Sequence, residues 1–492
     1  MHRRGLPSLP FLFTLTSVLW SSAPVAALPW HETLGALDGG HPHAARSMGD
    51  GPEAAYFNPA LLLDALPGER LAFVGLGQAL DVTLLARPAG ADVTARIYDA
   101  RRKLPDGSTA RLDHRPLPTS MLEPRGFASP EMLTGAATFG LVRHAWQGRL
   151  AFGVHALLPL GAFQRQQQSF ADEREQYFGN RLRFELLDDR LGSTAMAAGV
   201  GWRPLTSLAL GAGVSMANVS QATSTLYVPD ASDQSHSIVN TGVEVQTSWV
   251  PHLGLTWDAL RWLRLVGTVH FAYESTIEAE TDLKFWDYDY PPGQDSIAQR
   301  FASTWGYEPL RAAAGAVVRP EGAQWSAGGQ VLWAQWSAYR DRHDEVPVDA
   351  WSDTLAVAVA GDWHTPQRRL GLDLLWTPSP VPPQQGRTNY VDGDRAGVAA
   401  SWEERVTFLG QRWGLGLGVG VQRVLPRSER KSAAAADPVF DEFPDSVDLA
   451  TGQPIADAVG FQSNNPGYPG YDSQGWLFTF GTSIRTLPAE TK

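Results

Sequence analysis

The stretch Trp413-Gly414-Leu415-Gly416-Leu417-Gly418-Val419-Gly420-Val421-Gln422 decides the fold. Every second residue is large and apolar, and the positions between them are glycine. A period of two is that of a β-strand, so one face of this strand is greasy and the other almost bare. Three more stretches read alike. In 207–218, Leu208, Leu210, Ala212, Val214 and Met216 alternate with Ala209, Gly211, Gly213, Ser215 and Ala217. Trp476, Phe478, Phe480, Thr482 and Ile484 alternate with Leu477, Thr479, Gly481, Ser483 and Arg485, and Leu150, Phe152, Val154, Ala156 and Leu158 form the last set.

A soluble sandwich shows the same alternation, so the connections must decide. Strand patterns lie at 69–86, 133–142, 148–158, 193–203, 207–218, 243–257, 262–282, 310–319, 323–340, 354–364, 368–377, 394–403, 412–425 and 475–486. That is about fourteen, an even number, as single-chain bacterial barrels require. Tight turns at 203–206, 258–261, 319–322 and 365–367 alternate with long segments at 87–132, 159–192, 219–242, 283–309, 341–353, 378–393 and 426–474. Short turns on one side and long loops on the other are the asymmetry of an outer-membrane barrel. The expected fold is therefore all-β: a transmembrane antiparallel β-barrel of about fourteen strands over 69–487, with a tail at 488–492. Both ends would lie in the periplasm and the long loops, including the acidic and aromatic run 282–290, outside the cell. A secreted soluble β-enzyme is the competing class.

The start of the chain carries an address. His2, Arg3 and Arg4 precede an apolar stretch at 9–20 and the small residues Val25, Ala26 and Ala27. This reads as a secretory signal peptide over 1–27, too short in its apolar run to span a bilayer. Mean hydropathy is −0.20, a value that a barrel shares with a soluble protein because half of each strand faces a polar lumen. The 492 residues include no cysteine, which excludes disulfides and thiolate metal sites. A net charge of −12 with no basic stripe argues against a nucleic-acid partner. The 18 tryptophans suit the aromatic girdles of a barrel. Nucleophile-elbow, zinc-helix and phosphate-loop motifs are absent from the sequence, so neither an enzyme, a cofactor nor a metal site is expected. Asp392-Gly393-Asp394 invites a Ca²⁺ reading, against which stands a solvated turn.

Residues 28–68 are rich in Gly, Ala, His and Pro and show no strand pattern. A wall has no use for such a segment. It is either a periplasmic leader or a plug (hatch) within the lumen, and a lumen of about fourteen strands leaks unless something fills it. On the inward faces, Arg264, His270 and Glu274 fall on one side of the 262–282 strand, and Asp373 stands opposite Leu372, Leu374 and Trp376. These are candidates for contact with a substrate head group or with the plug, against ordinary lumen polarity.

The run Ala44-Ala45-Arg46-Ser47-Met48-Gly49, followed by Pro52-Glu53-Ala54-Ala55-Tyr56-Phe57-Asn58-Pro59-Ala60, resembles the N-terminal hatch of the FadL/TodX family of outer-membrane transporters for long-chain fatty acids and hydrocarbons. Leu332, Trp333, Trp336 and Ser337, and the run Thr388-Asn389-Tyr390-Val391-Asp392-Gly393-Asp394-Arg395, resemble later elements of that family. The resemblance implies a fourteen-stranded barrel with an N-terminal plug and passive uptake of a hydrophobic or amphipathic small molecule. Release would follow a plug shift or a lateral opening. Phe57, Asn58, Pro59 and Ala60 would form the plug element at the gate, with Pro59 fixing the backbone and the Asn58 amide bonding the barrel wall; otherwise Asn-Pro is a turn starter. Implied partners are the ligand, outer-membrane lipid and lipopolysaccharide, and the barrel-assembly machinery, with the chain a monomer. A scaffold or secretion-associated barrel of the same type, carrying no small molecule, is the alternative.

Overall fold

The computed structural model describes residues 29–85, 101–103, 109–111, 132–160, 182–187, 194–228, 238–285, 295–341, 346–347, 349–384, 389–430, 447–448, 453–454 and 470–488. The expected signal peptide and most of the segments 87–132, 159–192 and 426–474 lie outside these residues, as do 286–290 and 489–492.

Sixteen long strands follow one another: β1 (Gly68–Leu84), β2 (Met132–Ala145), β3 (Leu150–Pro159), β4 (Ala195–Leu205), β5 (Leu208–Val228), β6 (Ile238–Leu260), β7 (Leu263–His270), β8 (Tyr273–Phe285), β9 (Ile297–Glu308), β10 (Arg311–Val318), β11 (Trp325–Ala334), β12 (Thr354–His364), β13 (Arg368–Thr377), β14 (Arg395–Phe408), β15 (Gln411–Arg430) and β16 (Gly470–Leu487). Fourteen close a ring, β8 and β9 standing outside it. Neighbours in the ring are antiparallel, and β1 closes on β16 from Arg70↔Arg485 to Leu84↔Tyr471. The expected count and closed wall hold.

The alternation sets the two faces. Phe152, Val154, Leu253, Leu255, Leu372, Leu374, Leu417, Val419, Phe478 and Phe480 are all exposed on the outside. In water such a surface would be an aggregation liability; in lipid it is the solvent-matched face. Exposed tryptophans collect at its two edges: Trp202, Trp257, Trp325 and Trp363 near the tight turns, Trp249, Trp376 and Trp476 near the long-loop ends. Trp249 and Trp257 share β6, roughly 27 Å apart at about 3.4 Å per residue, close to the height of a membrane-embedded band. The tight turns between β4 and β5, β6 and β7, β10 and β11, and β12 and β13 fall where the sequence puts them.

Two expectations change. The strand expected at 262–282 is two: β7 ends at His270, and β8 restarts at Tyr273 away from the wall. There β8 pairs with β9 and, in parallel, with β5 from Ile277↔Ser220 to Phe285↔Val228. The segment 219–242, expected as a loop, is mostly the extension of β5 and β6, which stay paired to Tyr227↔Ile238. Inside the ring, the leading segment folds as three short helices, α1 (Pro29–Leu34), α2 (Ala45–Met48) and α3 (Ala54–Phe57), then a 3-10 turn at Pro59–Leu63. Trp30, Leu34, Leu37, Tyr56 and Phe57 are buried in one cluster with the inward Val74, Leu76 and Leu80 of β1, so the apolar core lies in the lumen.

Candidate functional site: the contact between leading segment and wall

The leading segment bends because its sequence breaks every helix early. Gly35 turns the chain back after α1 with φ +81°, and a Cβ there would collide with the Pro42 carbonyl. Asn58 ends α3 in an extended conformation, and Pro59 opens the 3-10 turn. The Asn58 side chain bonds within the segment: Oδ1 accepts from the Ala60 N–H at 3.2 Å and Nδ2 donates to the Arg46 carbonyl at 3.0 Å. The expected amide contact to the wall is therefore replaced by one that ties α2 to the 3-10 turn.

The wall receives Asn58-Pro59-Ala60 on glycine. Gly201, Gly211 and Gly254 lie side by side across β4, β5 and β6. A Cβ on Gly254 would meet Asn58 Oδ1, one on Gly211 the Ala60 nitrogen, and one on Gly201 the Pro59 carbonyl at 2.8 Å, all under the 3.0 Å that real Cβ atoms keep. On the other flank, Gly481 lies against the Leu37 carbonyl at 2.8 Å from its would-be Cβ, and Gly371 against the Gly40 carbonyl at 2.7 Å. Backbone approaches backbone because side chains are missing on one side.

Around these seats runs a chain of buried ion pairs. Asp373, fully buried, accepts from His41 Nδ1 at 2.7 Å and from the backbone N–H of His43 at 2.9 Å and Ala44 at 3.2 Å. His41 Nε2 lies 3.4 Å from Asp362. Arg369 joins Asp362, 2.6 Å away, to Asp50 of the segment. Arg70 reaches Glu53 at 3.0 Å and the Asp38 carbonyl at 3.0 Å. Asp38 Oδ2 accepts from Thr138 at 2.8 Å and meets His155 Nε2 at 3.0 Å, and His155 in turn meets His31 at 3.2 Å. Glu32 accepts from Arg46 at 2.7 Å and from the Tyr56 hydroxyl, and lies 3.4 Å from Arg311, which binds Glu308 at 2.6 Å.

Burial and neighbours set the protonation of the segment. Burial and the neighbouring His155 push His31 down to about 3, so it is neutral. Burial also opposes the charge on His41, but hydrogen bonds to Asp362 and Asp373 outweigh it and raise the imidazole above its ordinary value. Burial works against Glu32 and Asp50 as well, yet Arg311 and Arg46 hold Glu32, and Arg369 holds Asp50, well below the usual carboxylate range. Removing one partner of such a pair costs about 3–5 kcal/mol, because the other charge is stranded.

The inward residues singled out by sequence separate into different places. Arg264 binds Asp258 at 2.6 Å and Asp64 of the leading segment. His270 Nε2 lies 3.5 Å from the Phe57 carbonyl, its ring stacked on His252 at 4.7 Å, while His252 Nε2 reaches the Ala55 carbonyl at 2.7 Å. Glu274 is not on their strand: it belongs to β8 and accepts from Thr304 of β9 at 3.0 Å. Asp392 is not in a solvated turn either. It is buried and accepts from Ser379 Oγ at 2.6 Å, while Asp394 accepts from the Ser379 N–H at 2.8 Å; burial raises the Asp392 carboxyl. Among the described residues no group of three or more His, Cys, Asp or Glu is placed to hold a metal ion. Glu32, Asp38, His41, Asp50 and Glu53, missed by pattern reading, carry most of the pairing from the segment side. Their only signal is that a short segment without periodicity holds so many ionisable residues.

Above the segment, Trp336, Tyr339, Trp351 and Tyr390 pack as a buried aromatic group, Tyr339 stacked on Trp351 at 3.9 Å. Arg311 lies 5.9 Å from the Trp336 ring and so touches this group as well as the segment.

Comparison with known proteins gives the fold. No family model matches the chain, and neither does any curated protein sequence. Among solved structures, toluene transporters from P. putida (TodX) and Ralstonia pickettii (TbuX) are similar at 10% and 13% identity, with TM-scores of 0.45 and 0.42; each match covers 92% of this chain, and 100% and 99% of theirs. A Pseudomonas aeruginosa FadL homologue is 14% identical over 94% of this chain and 99% of its own, with a TM-score of 0.54. On that match, the chain has the barrel fold of a FadL homologue.

Proposed function

We propose that this chain is an outer-membrane channel for the uptake of hydrophobic or amphipathic small molecules, long-chain fatty acids or hydrocarbons, and that residues 28–68 act as its plug. The observation that carries the reading is a leading segment seated on wall glycines and clamped by buried ion pairs inside a barrel with an apolar outer face. An open lumen of this width would pass water and ions. An apolar solute gains nothing by entering a water-filled pore, since each Å² of apolar surface is worth about 25 cal/mol only when it leaves water. A sealed lumen with an apolar lining serves such a solute better, with release by a shift of the plug or through the wall. The aromatic group of Trp336, Tyr339, Trp351 and Tyr390 is a suitable first contact for a ligand arriving from the loop side.

Deletion of residues 28–60 tests this. Cells expressing the full chain are expected to take up labelled oleate or a labelled hydrocarbon above an empty-vector control, and the purified barrel to conduct few ions in planar bilayers. The deletion is expected to raise conductance to that of an open pore. Unchanged conductance and unchanged uptake on deletion would sink the plug. No uptake by the intact chain would leave a non-transporting scaffold.

A further inference from the structure

Six residues of the connection between β3 and β4, Leu182-Arg183-Phe184-Glu185-Leu186-Leu187, form a strap at the loop end of the lumen. Its backbone joins the connection between β13 and β14 in a short parallel pairing, Leu182↔Asn389 and Arg183↔Tyr390. Among the described residues the strap belongs to no other ladder, while β3 is zipped to its neighbours on both sides over eight pairs or more. Leu187 lies eight residues before β4 begins at Ala195, a tether that reaches about 27 Å when extended. The strap is thus lightly tied, and it has the reach to lift away while the wall stays closed.

Apolar contact in two directions holds it down. Leu186 is buried in the aromatic group with Trp336, Tyr339, Trp351 and Tyr390. Leu187, fully buried, belongs to the core cluster that contains Trp30 and Tyr56 of the leading segment, and Phe184 packs against the same cluster. An aliphatic side chain against aromatic rings is the contact a hydrocarbon makes on such a seat. With Leu186 withdrawn, that apolar group faces water, so the seat favours being filled, by the strap or by a solute of like chemistry. One seat takes one occupant. Strap and solute therefore exclude each other, and their exchange trades apolar contact for apolar contact.

We propose that residues 182–187 are a built-in competitor for the aromatic seat: the strap occupies the site that a neutral apolar solute takes on entry, and the solute lifts Leu186 and Leu187 out while the leading segment stays clamped. This deepens the uptake reading and rests on it. The outer end of the lumen is then closed in the resting molecule by the chain itself, and the apparent affinity for a solute is lowered by the fraction of time that the strap is seated.

The chain has no cysteine, so single substitutions give clean reporters: Leu187→Cys on the strap and Met48→Cys on α2 of the leading segment, both at buried positions. Each full-length reporter, in nanodiscs, is labelled with a charged maleimide with and without decane. Decane is expected to speed labelling of Leu187→Cys about tenfold and to leave Met48→Cys unchanged. Adding Leu186→Ser to the strap reporter is expected to speed labelling about tenfold without decane, the worth of one buried leucine, and to leave decane little more to gain. A second arm locks the strap with Leu182→Cys and Asn389→Cys, a directly paired couple. Oxidation is expected to block uptake of labelled decane by cells, and reduction to restore it. Heat-modifiable gel mobility identifies variants that fold. Equal acceleration of both reporters, or of neither, overturns the competitor, and so does undiminished uptake through the locked strap. That last result leaves the uptake reading intact. If the unlocked chain takes up no decane, the uptake reading fails, and the labelling response still decides for or against the strap.

Discussion

Asp373 does with one carboxylate what caps do at a helix end. It takes the His41 imidazole and two consecutive backbone N–H groups of the leading segment. Asp373→Ala strands all three donors, and a loss of about 3–5 kcal/mol in the anchoring of residues 41–44 is expected. Planar-bilayer conductance checks it: the variant should flicker open where the parent stays closed, with the barrel still folded. Two of the three histidines of the segment, His41 and His31, make anchoring depend on pH in opposite directions. His41 has a raised value, so its contribution is complete below the ordinary imidazole range and is lost as pH climbs through the raised one. His31 is lowered to about 3, so its burial is free of protonation cost above an imidazole's ordinary ~6.5, and anchoring weakens as pH falls from there. Conductance is expected to be lowest near neutral pH and to rise on both sides. His41→Asn should flatten the alkaline limb, and an unchanged alkaline limb in that variant would remove His41 from the account.

At the scale of elements, glycine is the device that lets a folded segment share a lumen with a wall. Gly201, Gly211 and Gly254 form one row across three strands, under Asn58-Pro59-Ala60. Gly211→Ala adds a methyl that meets the Ala60 nitrogen, a backbone atom that cannot swing aside. The 3-10 turn is expected to lift off while β5 keeps its pairing. The check is protease cleavage at residues 59–63 in the variant, with the parent resistant. The wall itself was legible because each strand sees two environments, lipid and lumen, and writes them alternately into the chain. The β7–β8 break was not, since alternation runs on through Phe271 and Tyr273. What moves β8 is its pairing with β5, more than fifty residues earlier in the chain (Ile277↔Ser220). The segment's ion pairs were less legible still. His41 and Asp373 are 332 residues apart, and His31 and His155 are 124 apart, with no periodicity linking them. Asp373, Arg264 and His270 stood out only because a polar residue on an otherwise apolar strand must face inward.

For the molecule as a whole, the ring joins its first strand to its last. β1 and β16 meet along their lengths, so the wall has no free edge until the final residues are in place. The leading segment is therefore held by strands from both ends of the chain: Arg70 on β1, Asp373 and Arg369 on β13, Gly481 on β16. With β16 docked on β1 the wall has no seam, so the segment can enter or leave only through an end of the cylinder, and it can do so without breaking a single strand pair.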